Sequence, residues 1–351
     1  MSIEELAAKL NAGSLTDSLM GENTDLSSLI DDSGELFANL DALLLMPGAM
    51  LLMAVLIEMF VPLPKFLRLA SIIPACQGLA RKVNRPERKS SERYFAGILL
   101  PMIIILGTIF LSLLLLTLAG FDPILLLVLT TLMLTLHPVQ QAAVKASRLL
   151  RRGNKAGVRA VLSPLLLRDC TRLSLIGLAK AGCDAICLRL FAAWFAPMVW
   201  FLLLGFEGAL LMQLCFILNC AFNVKLAENA HFGLGSRRML QVMLLPPAVV
   251  FALINLWRPH AWAHVKLALS QSKSCPSARV SSFVLALCAL TLKINLGGPR
   301  YYHDELLRYA RLGWSAQPGA SAPLQMLHLL RFSGLGLICL AFLINMLYTF
   351  S

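Results

Sequence analysis

Runs of apolar residues long enough to cross a bilayer set the limits on this chain. A helix needs about 20 such residues to cross a hydrocarbon core roughly 30 Å thick. Leu43 to Val61, Tyr94 to Leu118, Ala185 to Gly205 and Leu329 to Phe350 reach or approach that length. Hydrophobic residues make up 58% of the chain and its mean hydropathy is +0.73, which excludes an ordinary soluble domain. The predicted class is all-α: a polytopic transmembrane helical bundle with re-entrant or interfacial helices. A lipid bilayer is therefore an expected partner, and a multi-pass place in a bacterial inner (plasma) membrane the expected location. The N-terminus is polar and acidic rather than basic then apolar, so no cleavable signal peptide is expected.

Charge divides the chain in two. Residues 1–42 carry nine acidic side chains and one lysine, Lys9. A disordered acidic tail is predicted there, with a docking segment as the alternative. Residues 43–351, the predicted membrane domain, hold thirty basic and ten acidic side chains, and the basic ones lie between the apolar runs. That pattern predicts cytoplasmic loops facing anionic lipid or anionic substrate, and no nucleic-acid surface.

Local signals refine the order. A third span ends near His137-Pro138, and a basic loop over 140–183 carries two short helices, Val144 to Leu150 and Val158 to Leu167. Phe206-Glu207-Gly208 predicts a hairpin into the span Ala209 to Val224. Pro246-Pro247 sits in the middle of Met239 to Trp257, which predicts a broken or re-entrant hairpin there. Phe283 to Ile294 is too short to cross. Two ionisable side chains fall inside spans. Glu58 is either a site or an interfacial group, and Arg189 needs Glu58, Asp184 or a bound anion as partner.

The apolar run from Val284 stops at Gly297-Gly298-Pro299, followed by Arg300, Tyr301 and Tyr302. Turn amides, Lys293 and Arg300 are suited to an anion, and the tyrosines to a flat ligand. The alternative is a helix stop with interfacial tyrosines. No metal site is predicted. His260 and His264 share a helical face without a third ligand nearby, and most of the nine cysteines sit in apolar runs. No Walker loop or dinucleotide fingerprint is present.

Several stretches, in order, resemble the CobD/CbiB family of cobalamin-biosynthesis membrane proteins. They are Asn84 through Arg85, Arg88 and Arg93 to Leu100; Arg148 through Arg151-Arg152-Gly-Asn-Lys-Ala-Gly-Val-Arg159 to Cys170; Ala196-Pro-Met-Val-Trp200; Ser274-Cys-Pro-Ser-Ala278; and Lys293 to Tyr302. The resemblance implies an adenosylcobinamide-phosphate synthase. Such an enzyme uses ATP and Mg²⁺ to join adenosylcobyric acid, a corrinoid, to aminopropanol phosphate through an amide. It would place Arg85, Arg88, Arg151, Arg168, Lys293 and Arg300 on anionic groups. Gly297 and Gly298 would shape the turn, Tyr301 and Tyr302 would contact the ring or base, and Glu58, Asp169 and Asp184 would be the remaining acids for catalysis. A homo-oligomer stays open.

The chain also departs from the family pattern. A Glu-Asn-x-x-Asp pattern is expected before Ala196-Pro197, where Leu188, Arg189 and Ala192 stand. Later acidic and asparagine positions are replaced by Asn219, Asn223, Lys225, Leu240 and Gln241. Arg189 beside this span also resembles the related AmpE proteins. A catalytically degenerate corrinoid binder, or an AmpE-like regulatory membrane protein, is therefore the alternative.

Overall fold

Helix starts are set by side chains that accept otherwise unpaired amides, and by proline. The computed structural model describes residues 46–61, 63–166, 170, 173–275, 278–298, 300–302, 305–307 and 310–350. The expected tail at 1–42 lies outside them. Helix α1 is Pro47–Phe60, α2 Ile73–Val83 and α3 Ser90–Leu118. Asp122 accepts from the amides of Ile124 and Leu125 and so starts α4, Pro123–Met133, with proline in the first turn. The chain breaks at 134–136 and resumes as α5, His137–Arg151. Gly153 takes a left-handed φ of 68°, and Asn154 caps α6, Lys155–Leu162. Ser174 caps α7, Leu175–Leu190.

A π-helical turn, Phe191–Phe195, joins α7 to α8, Ala196–Ala221. Gly205 interrupts α8 with φ 69° and ψ −159°. A side chain added at Gly208 would lie 2.7 Å from the Trp200 carbonyl, so the chain folds back there, as the predicted hairpin requires. Next come α9, Leu234–Met243, and α10, Leu245–Ile254. Pro246 and Pro247 occupy the first turn of α10, where no intrahelical donor is needed. Backbone bonds from Leu244 to Leu240 and from Ala248 to Leu244 carry the two helices on as one bent rod. The helix is broken at Leu244 before the two prolines, as expected, but the chain does not turn back within Met239–Trp257.

Helices α11, Ala261–Ser272, and α12, Arg279–Thr291, lead to four short strands. Strand β1, Asn295–Gly297, pairs antiparallel with β4, Arg311–Gly313. Between them β2, Arg300–Tyr302, pairs with β3, Glu305–Leu307. Helix α13, Ala322–Phe350, closes the chain.

Among the described residues, five helical stretches are long and apolar enough to cross a membrane: Ser90–Leu118, Pro123–Arg151, Leu175–Ala221, Leu234–Trp257 and Ala322–Asn345. The protein is a multi-pass membrane protein. Helix α3 turns Leu106, Phe110 and Leu111 outward, as a lipid-facing helix must. The centre is aromatic. Phe191 and Phe195 stack at 5.5 Å, and Phe251 meets both edge-on at 5.6 and 5.3 Å. Trp194 lies against Gly334, where a Cβ would come within 2.3 Å of its ring.

Candidate functional site

A cavity of about 370 Å³ opens where the end of α7, the π turn, the end of α8, α9 and the start of α12 meet. Arg189, Lys225 and Arg237 line it, together with Asn219, Asn223 and Gln241. Gly297, Ala310 and Leu312 from the β1–β4 ladder and Ser274, Cys275 and Ala278 from the segment before α12 complete part of the wall. No aspartate or glutamate is among the described lining residues.

Two of these polar groups are held by neighbouring elements. Arg189 donates from Nε to the Leu165 carbonyl at 3.1 Å and from Nη2 to that of Pro164 at 3.3 Å. These carbonyls, and neither Glu58 nor Asp184, answer the question of its partner. Gln241 donates to Ser281 Oγ at 2.7 Å, and its Oε1 accepts the amides of Val280 and Ser281 at 3.1 and 3.3 Å. It thus caps the first turn of α12 from α9. The π turn begins two residues after Arg189, and Phe191 and Ala192 from it join Leu188 and Arg189 in the lining. Gly297 has φ 72° and no room for a side chain, since a Cβ would lie 2.5 Å from the Ala310 carbonyl.

The residues expected to form a site spread more widely. Gly297 lines the cavity; Gly298 follows it with φ 87°, its amide donating to the Ala310 carbonyl at 3.2 Å. The backbones of Arg300, Tyr301 and Tyr302 form β2, and their side chains are outside the description. Arg168 and Asp169 lie outside the described residues. Arg85 and Arg88 are exposed in the turn before α3, and Arg151 is exposed at the end of α5; none lines the cavity. Lys293 takes a left-handed φ of 56° past the end of α12, so the helix stops before the glycines. Its charge acts on α11: burial first, then His260 and Lys293, holds His264 below the usual imidazole range. Asp184 is buried on α7, one turn beyond Lys180, which donates to Asn295 Oδ1 at 3.2 Å. Glu58 is fully buried. Its carboxylate accepts from Arg68 at 3.0 Å and from the amides of Leu136 and His137 at 3.0 Å, so it caps α5.

Comparison with known proteins gives this cavity a context. The family described as CobD/Cbib protein matches residues 51–330. The chain belongs to the CobD/Cbib family. A cobalamin biosynthesis protein CobD from Chromobacterium violaceum is 29% identical over 154 residues, covering 44% of this chain and 49% of that protein. Another CobD, from Stutzerimonas stutzeri, is 26% identical over 194 residues, covering 55% and 64%. The chain thus spans less than two thirds of the length of either curated relative. No solved structure matches significantly.

Within the family frame, the departures from its pattern gather in one place. Leu188, Arg189 and Ala192 line the cavity, and so do Asn219, Asn223, Lys225, Leu240 and Gln241. They lie as much as 53 positions apart in the sequence, and the fold brings them to a common wall. The magnesium ion implied by the family takes oxygen ligands and favours carboxylates. The described lining offers cations and amides, and no group of three His, Cys, Asp or Glu capable of holding a metal occurs among the described residues. These residues do not fit a magnesium site.

Proposed function

We propose that this protein acts in cobalamin biosynthesis in a bacterial inner membrane, at the step that joins adenosylcobyric acid to aminopropanol phosphate through an amide. One observation carries the reading. Two stretches of family resemblance, distant in sequence, reach a single cationic cavity, the segment at Ser274 and the Gly297 turn, and the residues just before a third, Ala196–Trp200, complete its wall. Amide formation requires an amine held against a carboxyl carbon. Arg189, Lys225 and Arg237 supply positive charge for a substrate phosphate and for charge developing on the attacked carboxyl group. Asn219 and Asn223 offer orienting hydrogen bonds, and the closed Gly297 bend keeps that wall narrow. A cavity of about 370 Å³ suits the phosphorylated amine and one propionate arm, leaving the macrocycle outside its mouth. ATP as the activating co-substrate belongs to the same proposal.

The test is complementation of a bacterial strain lacking its synthase with the full chain. Restored cobalamin-dependent growth supports the reading, and no growth despite normal membrane expression counts against turnover. The acid-free described lining favours a second reading, a corrinoid-binding protein without turnover. Adenosylcobyric acid titrated into detergent-purified protein would then change its visible spectrum while complementation fails.

A further inference from the structure

We infer that Asn84 and Arg93 are positioning residues, which hold one wall of the cavity from behind through the loop between α8 and α9. This rests on the reading that the cavity is the working site. The stretch from Asn84 to Leu100 resembles the family, yet none of its residues is in the described lining of the cavity. The loop connects the two. Its start supplies Asn223, Val224 and Lys225 to the lining, and α9 at its end supplies Arg237, Leu240 and Gln241. Its middle is fastened to the end of α2 and the first turn of α3.

The fastening is a closed set of hydrogen bonds. Arg93 donates from Nε to Asn84 Oδ1 at 2.8 Å and from Nη2 to the Glu228 carbonyl. Asn84 Nδ2 donates to that same carbonyl at 2.8 Å and to Asn229 Oδ1 at 3.1 Å. Both lone pairs of the Glu228 oxygen are thus engaged, one of them by a charge-assisted donor. The planar guanidinium reaches two acceptors at once, which an ammonium does not reproduce. Asn84 is itself anchored, because its amide donates to the Ala80 carbonyl at the end of α2. One turn further along α3, Gly97 lies so close to the loop that a Cβ there would clash with the Phe232 carbonyl. On the cavity side the loop is closed by its own bonds. Asn223 Oδ1 accepts the Lys225 amide at 3.0 Å, and the Asn223 carbonyl accepts that of Leu226 at 3.1 Å. The Asn229 amide donates to the Leu226 carbonyl at 2.9 Å, so a displacement at 228–229 passes to Asn223 through one short turn.

The test is Arg93→Ala in the detergent-purified full chain, read by amide hydrogen exchange across 223–229 and by visible-spectrum titration with adenosylcobyric acid. Exchange at Lys225, Leu226 and Asn229 should quicken about tenfold, as the loss of one charge-assisted hydrogen bond implies, while α7 and α12 stay as slow as in the wild type. Affinity for adenosylcobyric acid should fall about tenfold with it. Arg93 also borders a second cavity of about 510 Å³, so added methylguanidinium can occupy its place. Rescue of both readouts is expected, and a residue that merely supported the fold would show none. Arg93→Lys, which lacks the planar fork, should fall between wild type and Arg93→Ala. Asn84→Asp keeps the acceptor for Arg93 and loses both donors to the loop, so it should loosen 223–229 even where Arg93→Ala fails to fold. Unchanged exchange across 223–229, unchanged affinity beside a loosened loop, or equal quickening in α7 and α12 overturns the inference. The exchange measurement needs no ligand. A wild-type chain that leaves the corrinoid spectrum unchanged therefore sinks the cobalamin reading alone, and the clamp is then judged by exchange and its rescue.

Discussion

Glu58 carries the ionisable group that sequence marks most clearly, and the structure gives it a mechanical task. Its carboxylate meets Arg68 and two amides at the start of α5, all within 3.0 Å. Glu58→Ala would leave Arg68, only 5% exposed, without its counter-charge. Such a loss typically costs about 3–5 kcal/mol. A large drop in detergent melting temperature is expected, with ligand binding per folded molecule unchanged. Normal melting with lost binding would instead return Glu58 to the chemistry. Gly297 behaves differently, because its constraint is steric. Gly297→Ala must relieve a 2.5 Å contact with the Ala310 carbonyl at a φ of 72°. A cost of about 1–3 kcal/mol follows, and the cavity wall should loosen with it. Reduced affinity for adenosylcobyric acid alongside a modest melting shift is the expected pair of results. Glycine was legible at this bend from its position after an apolar run. The buried partners of Glu58 were not, since Arg68 and Leu136 become neighbours only when α1 packs beside α4.

At the scale of elements, the site depends on how α9 is fastened to α12. Helix α12 begins at Arg279 with no side-chain cap of its own, and Gln241 reaches across to supply one. Gln241→Ala should free the amides of Val280 and Ser281 and cost about 1–2 kcal/mol, as lost caps do. Hydrogen exchange at those two amides should quicken while exchange at α7 stays slow. Equal quickening in both helices would show that Gln241 supports the whole bundle rather than this joint. The helices themselves were largely visible as apolar periods with turn residues between. The π turn at Phe191–Phe195 was not, because an extra residue in a helix leaves no mark on composition. The end of α12 was misplaced for a related reason. Helix geometry stops at Thr291 and Lys293 takes the left-handed position that glycine usually fills, so the glycines serve the strands instead.

For the whole molecule, the membrane class followed from composition and apolar run length, and the cavity did not. Its walls come from positions between 188 and 312, and a linear reading ranks each separately. Net charge was informative once divided by position. The turns at 119–122 and around Gly205 carry no basic residue, whereas 81–93, 148–159 and 225–238 carry many. Positive residues stay with the cytoplasmic side, so the two sets of loops should lie on opposite faces of the membrane. The 47-residue stretch Leu175–Ala221 tests this. As a straight helix it would run about 70 Å, more than twice the hydrocarbon thickness. Folding back at Gly205 resolves the excess and makes it two crossings. Reporter fusions placed after Glu207 and after Asn229 should therefore read periplasm and cytoplasm respectively. A periplasmic sign at both places would mean that the second half of α8 turns back inside the bilayer. Lys225 and Arg237 would then sit on the face opposite to the other basic loops, where cytoplasmic phosphates cannot reach them.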